Sequence, residues 1–296
     1  MNESTYDVAI IGSGVAGMAA GIYSIRYEMN TIIFGNEFGG TIAKTHIVEN
    51  YPGFESISGM ELGNKIQAHL ESVSGKINLE EIKTIKKEND LFALNENYHA
   101  RSVIIASGTV PRKLKTKNIE KFHNKGVSYC ATCDGPLFRG KVVGVVGGSD
   151  SAAKEALLLA KYAQKVYIFY RREEIRAEPV NKRRVLDEKK IEIINNVNII
   201  EAKGENLLGE VILDNGQAVS LQGLFVEIGS IPNSKLARDL GVECNQKGEI
   251  LTDSNMRTNV AGVFAAGDIV SGHFKQAIVS ASQGSLAAES AFQYLS

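Results

Sequence analysis

Tyr6-Asp7-Val8-Ala9-Ile10-Ile11-Gly12-Ser13-Gly14-Val15-Ala16-Gly17 runs an apolar strand straight into a complete G-x-G-x-x-G turn. Each glycine there answers a separate steric demand. Gly12 permits the tight turn, Gly14 lets backbone approach a pyrophosphate, and Gly17 lets the following helix pack on the strand. Met18 to Tyr27 reads as that helix and Thr31 to Phe34 as the next strand. The motif therefore sits in a βαβ unit whose helix N-terminus turns its positive end toward phosphate. The candidate nucleotide contacts of the turn are Gly12, Ser13, Gly14, Ala16 and Gly17. No acid closes the second strand, where Gly35-Asn36 stand; Glu37 is the nearest candidate for a ribose hydroxyl.

The plan recurs downstream. Lys141 to Val146 reads as a strand, Gly147-Gly148-Ser149-Asp150-Ser151-Ala152 as a turn, Ala153 to Tyr162 as a helix and Val166 to Tyr170 as a strand. Ser149 occupies the position where glycine allows the closest approach, so this turn alone fits either a second dinucleotide site or an ordinary strand–helix connection. The end of the next strand favours the first reading: Tyr170-Arg171-Arg172-Glu173-Glu174-Ile175-Arg176 offers three arginines where a 2′-phosphate is held. Arg171, Arg172 and Arg176 thus favour NADPH over NADH, with a solvated basic turn as the alternative.

Two further apolar strands end in small-residue turns, Val103 to Thr109 and Val263 to Asp268, and they flank the second βαβ unit. A length of 296 residues fits two modules. The expected fold is α/β, with two Rossmann-like dinucleotide-binding domains and the second inserted into a discontinuous first. The first spans 1-112 and 232-296, the second 113-231. The mixed-sign stretch Asn181 to Lys190 reads as a solvated face.

Composition narrows the partners. A formal net charge of −1 gives no electrostatic reason for nucleic acid or an anionic membrane. The acidic start Met1 to Asp7 lacks the basic-then-apolar layout of a signal peptide, and no apolar run is long enough to span a bilayer. A cytoplasmic protein is expected.

Two of the three cysteines form Cys130-Ala131-Thr132-Cys133, followed by Asp134-Gly135. Thiols at this spacing close a small disulfide and exchange it through a mixed disulfide, with thiolate as the attacking species. An adjacent carboxyl can move the proton each half-reaction needs. Half of a zinc site is the rival, but four ligands are required and only His46, His69, His99, His123 and His273 are scattered elsewhere, so no metal is expected. Cys244 reads as a small core hydrophobe.

Taken together, Gly12 to Gly17, Glu49-Asn50-Tyr51-Pro52-Gly53, Gly108-Thr109-Val110-Pro111-Arg112, Cys130 to Gly135, Arg171-Arg172 with Arg176, Ala265-Ala266-Gly267-Asp268 and Gln276-Ala277 closely resemble the low-molecular-weight thioredoxin reductases over nearly the whole chain. The resemblance implies FAD in the first domain, NADPH in the inserted one, a homodimer, and a thioredoxin-like or glutaredoxin-like protein disulfide as substrate. By position it implies that Cys133 faces the flavin, Cys130 attacks the partner and Asp134 is the acid. It puts Gly39, Gly40, Thr41, Asn50, Gly108, Thr109, Asp268, Gln276 and Ala277 against FAD, and residues 147–152 against NADPH. The chain departs from the family pattern at Thr41 (usually glutamine), Tyr170 (usually histidine) and Ser149 (usually glycine). Other readings of the same build are a reductase fed by ferredoxin or a deazaflavin, a small-molecule dithiol oxidase, and a non-catalytic flavoprotein sensor. The dithiol and the nicotinamide share the inserted domain, so the two crossings between domains are expected to act as a hinge.

Overall fold

A computed structural model describes residues 5–95, 97–272 and 274–296. The chain divides into two compact units, one of residues up to Val110 together with Ile231–Ser296, the other Pro111–Ser230.

In the first unit the strand Thr5–Ile11 lies between Thr31–Phe34 and Tyr98–Ile105, parallel to both, with Ile77–Asn78 beyond Thr31–Phe34. Val8, Ala9 and Ile10 have no exposed surface, as a strand covered on both faces requires. Period-two alternation splits its residues: Val8 and Ile10 join a core with Ile33 and Ile104, whereas Ala9 and Ile11 join another with Phe34, Val103 and Ile105. On its other edge Tyr98–Ile105 serves two partners. Its first half pairs antiparallel with Leu91–Leu94, and its second half pairs parallel with Val263–Ala265. The helices Val15–Arg26 and Ala277–Leu295 cover the Val8 face, contributing Met18, Ala20, Ala287 and Ala288.

The second unit repeats the arrangement. Its parallel sheet has the order Ile191–Asn195, Lys165–Tyr170, Val142–Val146, Gly223–Val226, Val127–Ser128. Val143 and Val145 pack under the helix Asp150–Ala160, and Val146 packs with an antiparallel sheet of Ile199–Lys203, Glu210–Leu213 and Ala218–Ser220. That meander and the antiparallel strands Ile85–Glu88 and Leu91–Leu94 were not anticipated from sequence. The crossing segments Thr109–Pro111 and Ser230–Pro232 pair as a short two-stranded sheet.

Both nucleotide-turn helices begin three residues before their expected starts, at Val15 and Asp150, because the last small residues of each turn already form the first helical turn. The charged stretch after Asn181 lies within a helix, Pro179–Asp187, continuing past its end; Asn181 and Val185 are buried and Arg183, Arg184, Leu186 and Asp187 are exposed. Among the described residues no helix is long and apolar enough to cross a membrane.

Helix packing in the first unit allows a sharp test. A Cβ on the buried Gly284 would sit 2.1 Å from the carbonyl oxygen of Ala16, a backbone atom that cannot swing away. Helix propensity favours alanine over glycine by about 1 kcal/mol. We nevertheless expect Gly284→Ala to destabilise the protein by about 1–3 kcal/mol through overpacking. Gly272→Ala, where a Cβ meets open space, is the control. Urea unfolding followed by circular dichroism reads both.

Candidate functional site

The glycine turn of the first unit follows directly from the sheet. Gly12 takes a φ of +121° and donates its N–H to Phe34 O (2.8 Å), and a Cβ there would strike Ala106 O at 2.2 Å. The helix then opens at Gly14 with no side-chain cap and no acid in its first turn, so its orphan N–H groups remain available to an anion. A Cβ on Gly14 would meet only Gly39 O, at 3.8 Å, so the approach is open. Ser13 is buried and its hydroxyl donates to Glu37 O (2.9 Å). The Glu37 carboxylate itself is exposed and paired with Lys44 (2.6 Å).

Other segments converge on that turn within the same unit. Gly39 bridges to Gly14, and Gly40 and Thr41 begin the 3-10 turn Gly40–Lys44. A Cβ on Gly267 would touch Ala16 at 2.9 Å, which puts the Asp268 loop beside the turn. Gly267 N–H donates to Gln283 Oε1 (2.9 Å), and Asp268 Oδ1 accepts from Ser280 Oγ (3.5 Å). Burial pushes the Asp268 carboxyl up, against Lys275 and Ser280, which pull it down. Lys275 donates to the carbonyls of Asp268 (3.1 Å) and Val270, and pairs with Glu249 (3.2 Å). Asn50 Nδ2 donates to Gln276 Oε1 (3.2 Å) across 226 residues of sequence, and Ala277 begins the last helix. Gly108 and Thr109 stand at the crossing, where Gly108 O accepts from Asn233 N–H (3.0 Å).

In the second unit, Gly147 has a φ of +145° and Ser149 caps the helix without a side-chain bond. Gly148 lies under the ring of Tyr170, where a Cβ would approach to 2.4 Å. Arg176 is tied to this turn: its N–H donates to Gly148 O (2.6 Å) and its Nε to Tyr170 Oη (3.0 Å). Burial pushes Asp150 up, but bonds from Lys154, Asn181 and the Glu178 N–H outweigh it and hold the carboxyl below its ordinary value. Ser151 is exposed, Ala152 is buried, and Arg171 and Arg172 project into solvent after the strand.

The same unit carries the cysteines, joined as a disulfide with Cα atoms 5.3 Å apart. Cys130 is half-buried and caps the short helix Ala131–Asp134; Cys133 is exposed. The Cys133 N–H donates to Cys130 Sγ (3.2 Å) and the Asp134 N–H to Cys130 O (3.1 Å). A thiolate at Cys130 would inherit that N–H donor, which favours its ionised form. The buried Ser128 hydroxyl donates to Asp134 Oδ2 (2.6 Å) and accepts from Cys130 N–H (3.1 Å), so it orients the carboxyl beside the cysteines. Ala131 N–H donates to Glu155 Oε1 (3.1 Å).

Sequence reading missed Ser128, Gln283, Lys275, Glu155 and Glu227. Ser128 alone carried a signal, its place two residues before Cys130; the others are met only through folding. Among the described residues, no three His, Cys, Asp or Glu side chains are placed to hold a metal ion, and His273 lies outside those residues. Cys244 is half-buried against Val242 O (3.7 Å).

Residues 6–284 match the family of pyridine nucleotide-disulphide oxidoreductases. The chain is 38% identical to the thioredoxin reductase of Bacillus subtilis (strain 168), over 99% of its own length and 96% of that protein. Among solved structures it is similar to the thioredoxin reductase of Lactococcus lactis in its FR conformation, with a TM-score of 0.94 and 36% identity over 98% of this chain and 99% of that one. It is also similar to a ferredoxin-flavin thioredoxin reductase from Clostridium acetobutylicum, with a TM-score of 0.55 and 33% identity over 99% and 98%.

The carboxyl behind the redox loop leaves a thermodynamic signature. Burial pushes Glu155 up to about 7, and burial with the neighbouring Glu155 charge pushes Glu227 up to about 8. Both groups hold protons more tightly folded than unfolded. Their contribution is therefore fully present below about pH 4.5 and is lost as pH rises through about 7 to 8. We expect the stability of wild type relative to the Glu155→Gln/Glu227→Gln variant to fall between pH 5 and pH 9 by more than about 1.4 kcal/mol, the worth of one pKa unit. Urea midpoints at the two pH values read the difference.

Proposed function

The chain belongs to the pyridine nucleotide-disulphide oxidoreductase family, and from that premise we propose that it is a cytoplasmic, homodimeric, flavin-dependent thioredoxin reductase that draws on NADPH. The observation that carries the reading is the Cys130–Cys133 disulfide at a helix N-terminus, with Asp134 held beside it by Ser128. A dithiol that must be reduced anew each cycle works in a reducing compartment, which supports the cytoplasm.

FAD fits the first unit. The open Gly14 backbone and uncapped helix suit its pyrophosphate, and the half-buried Asp268 carboxylate, with only a long bond from Ser280, suits a hydroxyl donor. Asn50, Gln276 and Ala277 are taken as further contacts, with Gly39, Gly40 and Thr41 beside the turn. Bound FAD supplies the two-electron chemistry that links a reduced nicotinamide to the disulfide. Residues 147–152 are assigned to the nicotinamide dinucleotide, with Arg171, Arg172 and Arg176 on its 2′-phosphate; the bond to Tyr170 engages Nε of Arg176 and not its Nη atoms.

The disulfide takes two electrons and two protons to become two thiols, and Asp134 is the group placed to move a proton. Cys130, its thiolate favoured by the Cys133 N–H, then attacks one sulfur of a thioredoxin-like disulfide. A mixed disulfide forms as the other partner sulfur leaves and takes a proton. Cys133 attacks Cys130 Sγ, closing the disulfide again and releasing the second partner thiol.

A second reading rests on the Tyr170 ring over Gly148 and the bond from Arg176 N–H to its carbonyl, which strap the turn where a pyrophosphate would lie. On that reading the donor is a reduced protein such as a ferredoxin, as the name of the Clostridium acetobutylicum relative says of that enzyme.

Anaerobic titration of the flavin absorbance with NADPH, NADH and chemically reduced ferredoxin separates the two. We expect a yellow protein bleached by NADPH at lower concentration than by NADH. Hydrogen bonds to a charged group contribute about 1.5–3 kcal/mol each, so Arg171→Ala or Arg172→Ala should weaken NADPH by about tenfold or more and leave NADH nearly unchanged. No bleaching by NADPH with full bleaching by ferredoxin would transfer the proposal to the second reading. Cys133→Ser should keep flavin reduction and lose thioredoxin reduction; retained insulin-coupled turnover in that variant would exclude the dithiol as the carrier.

A further inference from the structure

Below the redox loop, a second pair of acids has no part in the reaction just described. Glu155 projects from the helix Asp150–Ala160, and Glu227 follows the strand Gly223–Val226, with its N–H bonded to Val146 O (2.8 Å). Glu155 Oε1 receives the Ala131 N–H at 3.1 Å, while Oε2 is fully buried and meets no N–H or hydroxyl donor. The Glu155 side chain is hydrogen-bonded to the carboxyl of Glu227. Two ionised carboxylates offer only acceptors and repel each other, so such a bond requires one proton between them. Oε2, buried and without a donor, is an acceptor that such a proton would satisfy.

We propose that Glu155 and Glu227 act as one singly protonated pair that positions the redox loop, with Glu155 clamping the Ala131 N–H one residue from Cys130 and Glu227 supplying the proton that holds Glu155 in place. The proposal rests on the reading of Cys130–Cys133 as the redox centre. The upward shifts of both carboxyls agree with a proton retained at neutral pH. Burial, the partner carboxyl and the Ala131 N–H are the influences that govern the pair's ionisation. The pair takes no electrons: the S–S bond gains two electrons and two protons from elsewhere, and the pair's own proton is the same before and after. Its effect is conformational. The clamp is made on the disulfide form of the loop, and Ala131 is the first residue of the helix that Cys130 caps. Loosening the clamp should therefore favour the dithiol.

The test is the dithiol–disulfide equilibrium of the FAD holoenzyme against dithiothreitol at pH 7, read by alkylation of free thiols and mass measurement. No nicotinamide or thioredoxin is present, so the result does not depend on which donor or protein substrate is right. A charge-assisted bond to a backbone N–H leads us to expect Glu155→Ala and Glu227→Ala to shift the constant about tenfold toward the dithiol. Glu155→Gln keeps an acceptor for Ala131 and Glu227→Gln a donor for the Glu155 carboxylate, and both should stay within about threefold of wild type. A purely structural role would lower the melting temperature of the alanine variants without moving the constant. Infrared spectra supply a second arm: a protonated-carboxyl stretch present in wild type at pH 7 should vanish in either glutamine variant. Alanine variants that bind FAD yet keep the wild-type constant, or shift toward the disulfide, overturn the proposal. So does a carboxyl band that survives both glutamine substitutions. A wild-type holoenzyme in which dithiothreitol opens no Cys130–Cys133 disulfide at all would instead count against the redox-centre reading beneath it.

Discussion

The structure depends on one steric constraint, that a helix must start as soon as a fully buried parallel strand ends. In the first unit the chain turns at Gly12, and the helix then passes so close that a Cβ on Gly17 would lie 1.8 Å from Gly12 O. Only a glycine pair lets that approach happen, and the approach leaves the helix N-terminus pointing past the sheet edge with its N–H groups unpaired. The other candidate cofactor residues gather where that end opens: Gly39 bridged to Gly14, Gly267 against Ala16, Asn50 bonded to Gln276. In the second unit Gly147 stands where Gly12 does: a Cβ there would lie 2.1 Å from Glu227 O, as one on Gly12 would lie 2.2 Å from Ala106 O. The backbone that shapes the second turn thus belongs to a residue of the acid pair.

The redox loop shows how a short helix is used for chemistry rather than for stability. Four residues, Ala131–Asp134, contribute little cooperative helical energy. Their value lies in the donors at their start. Cys133 N–H goes to Cys130 Sγ and Ala131 N–H to Glu155, while Ser128 occupies both the Cys130 N–H and the Asp134 carboxylate. These bonds tie the loop to a strand and a helix of the same unit, which keeps the sulfurs in register through repeated opening and closing.

The α/β plan was legible in residues whose meaning is local. The runs Val8 to Ile11 and Val142 to Val146 are apolar on both faces, and glycine follows each at once; both features are written in consecutive positions. Antiparallel additions were not legible in the same way. Leu91–Leu94 and Ile199–Lys203 are short and partly charged around their edges, and their pairing is set by partners already in place. The helix across the charged stretch escaped notice because its apolar stripe amounts to little more than Val185, with Asn181 buried by a hydrogen bond to Asp150.

By itself, then, the sequence determined the two strand–turn–helix units, the dithiol spacing and the arginines after the second strand, because each depends on neighbours within a few positions. Tertiary structure alone decided what those parts meet. It set Tyr170 over Gly148 and tied Arg176 to the same turn. It paired Glu37 with Lys44 and gave Asp134 its Ser128 partner. It also brought Glu155 and Glu227, 72 residues apart in the chain, into one hydrogen bond. Burial is the physical reason for the last of these. A carboxyl's proton affinity depends on how much water it loses and which charge it faces, and both are properties of the folded core, invisible in a linear string of residues.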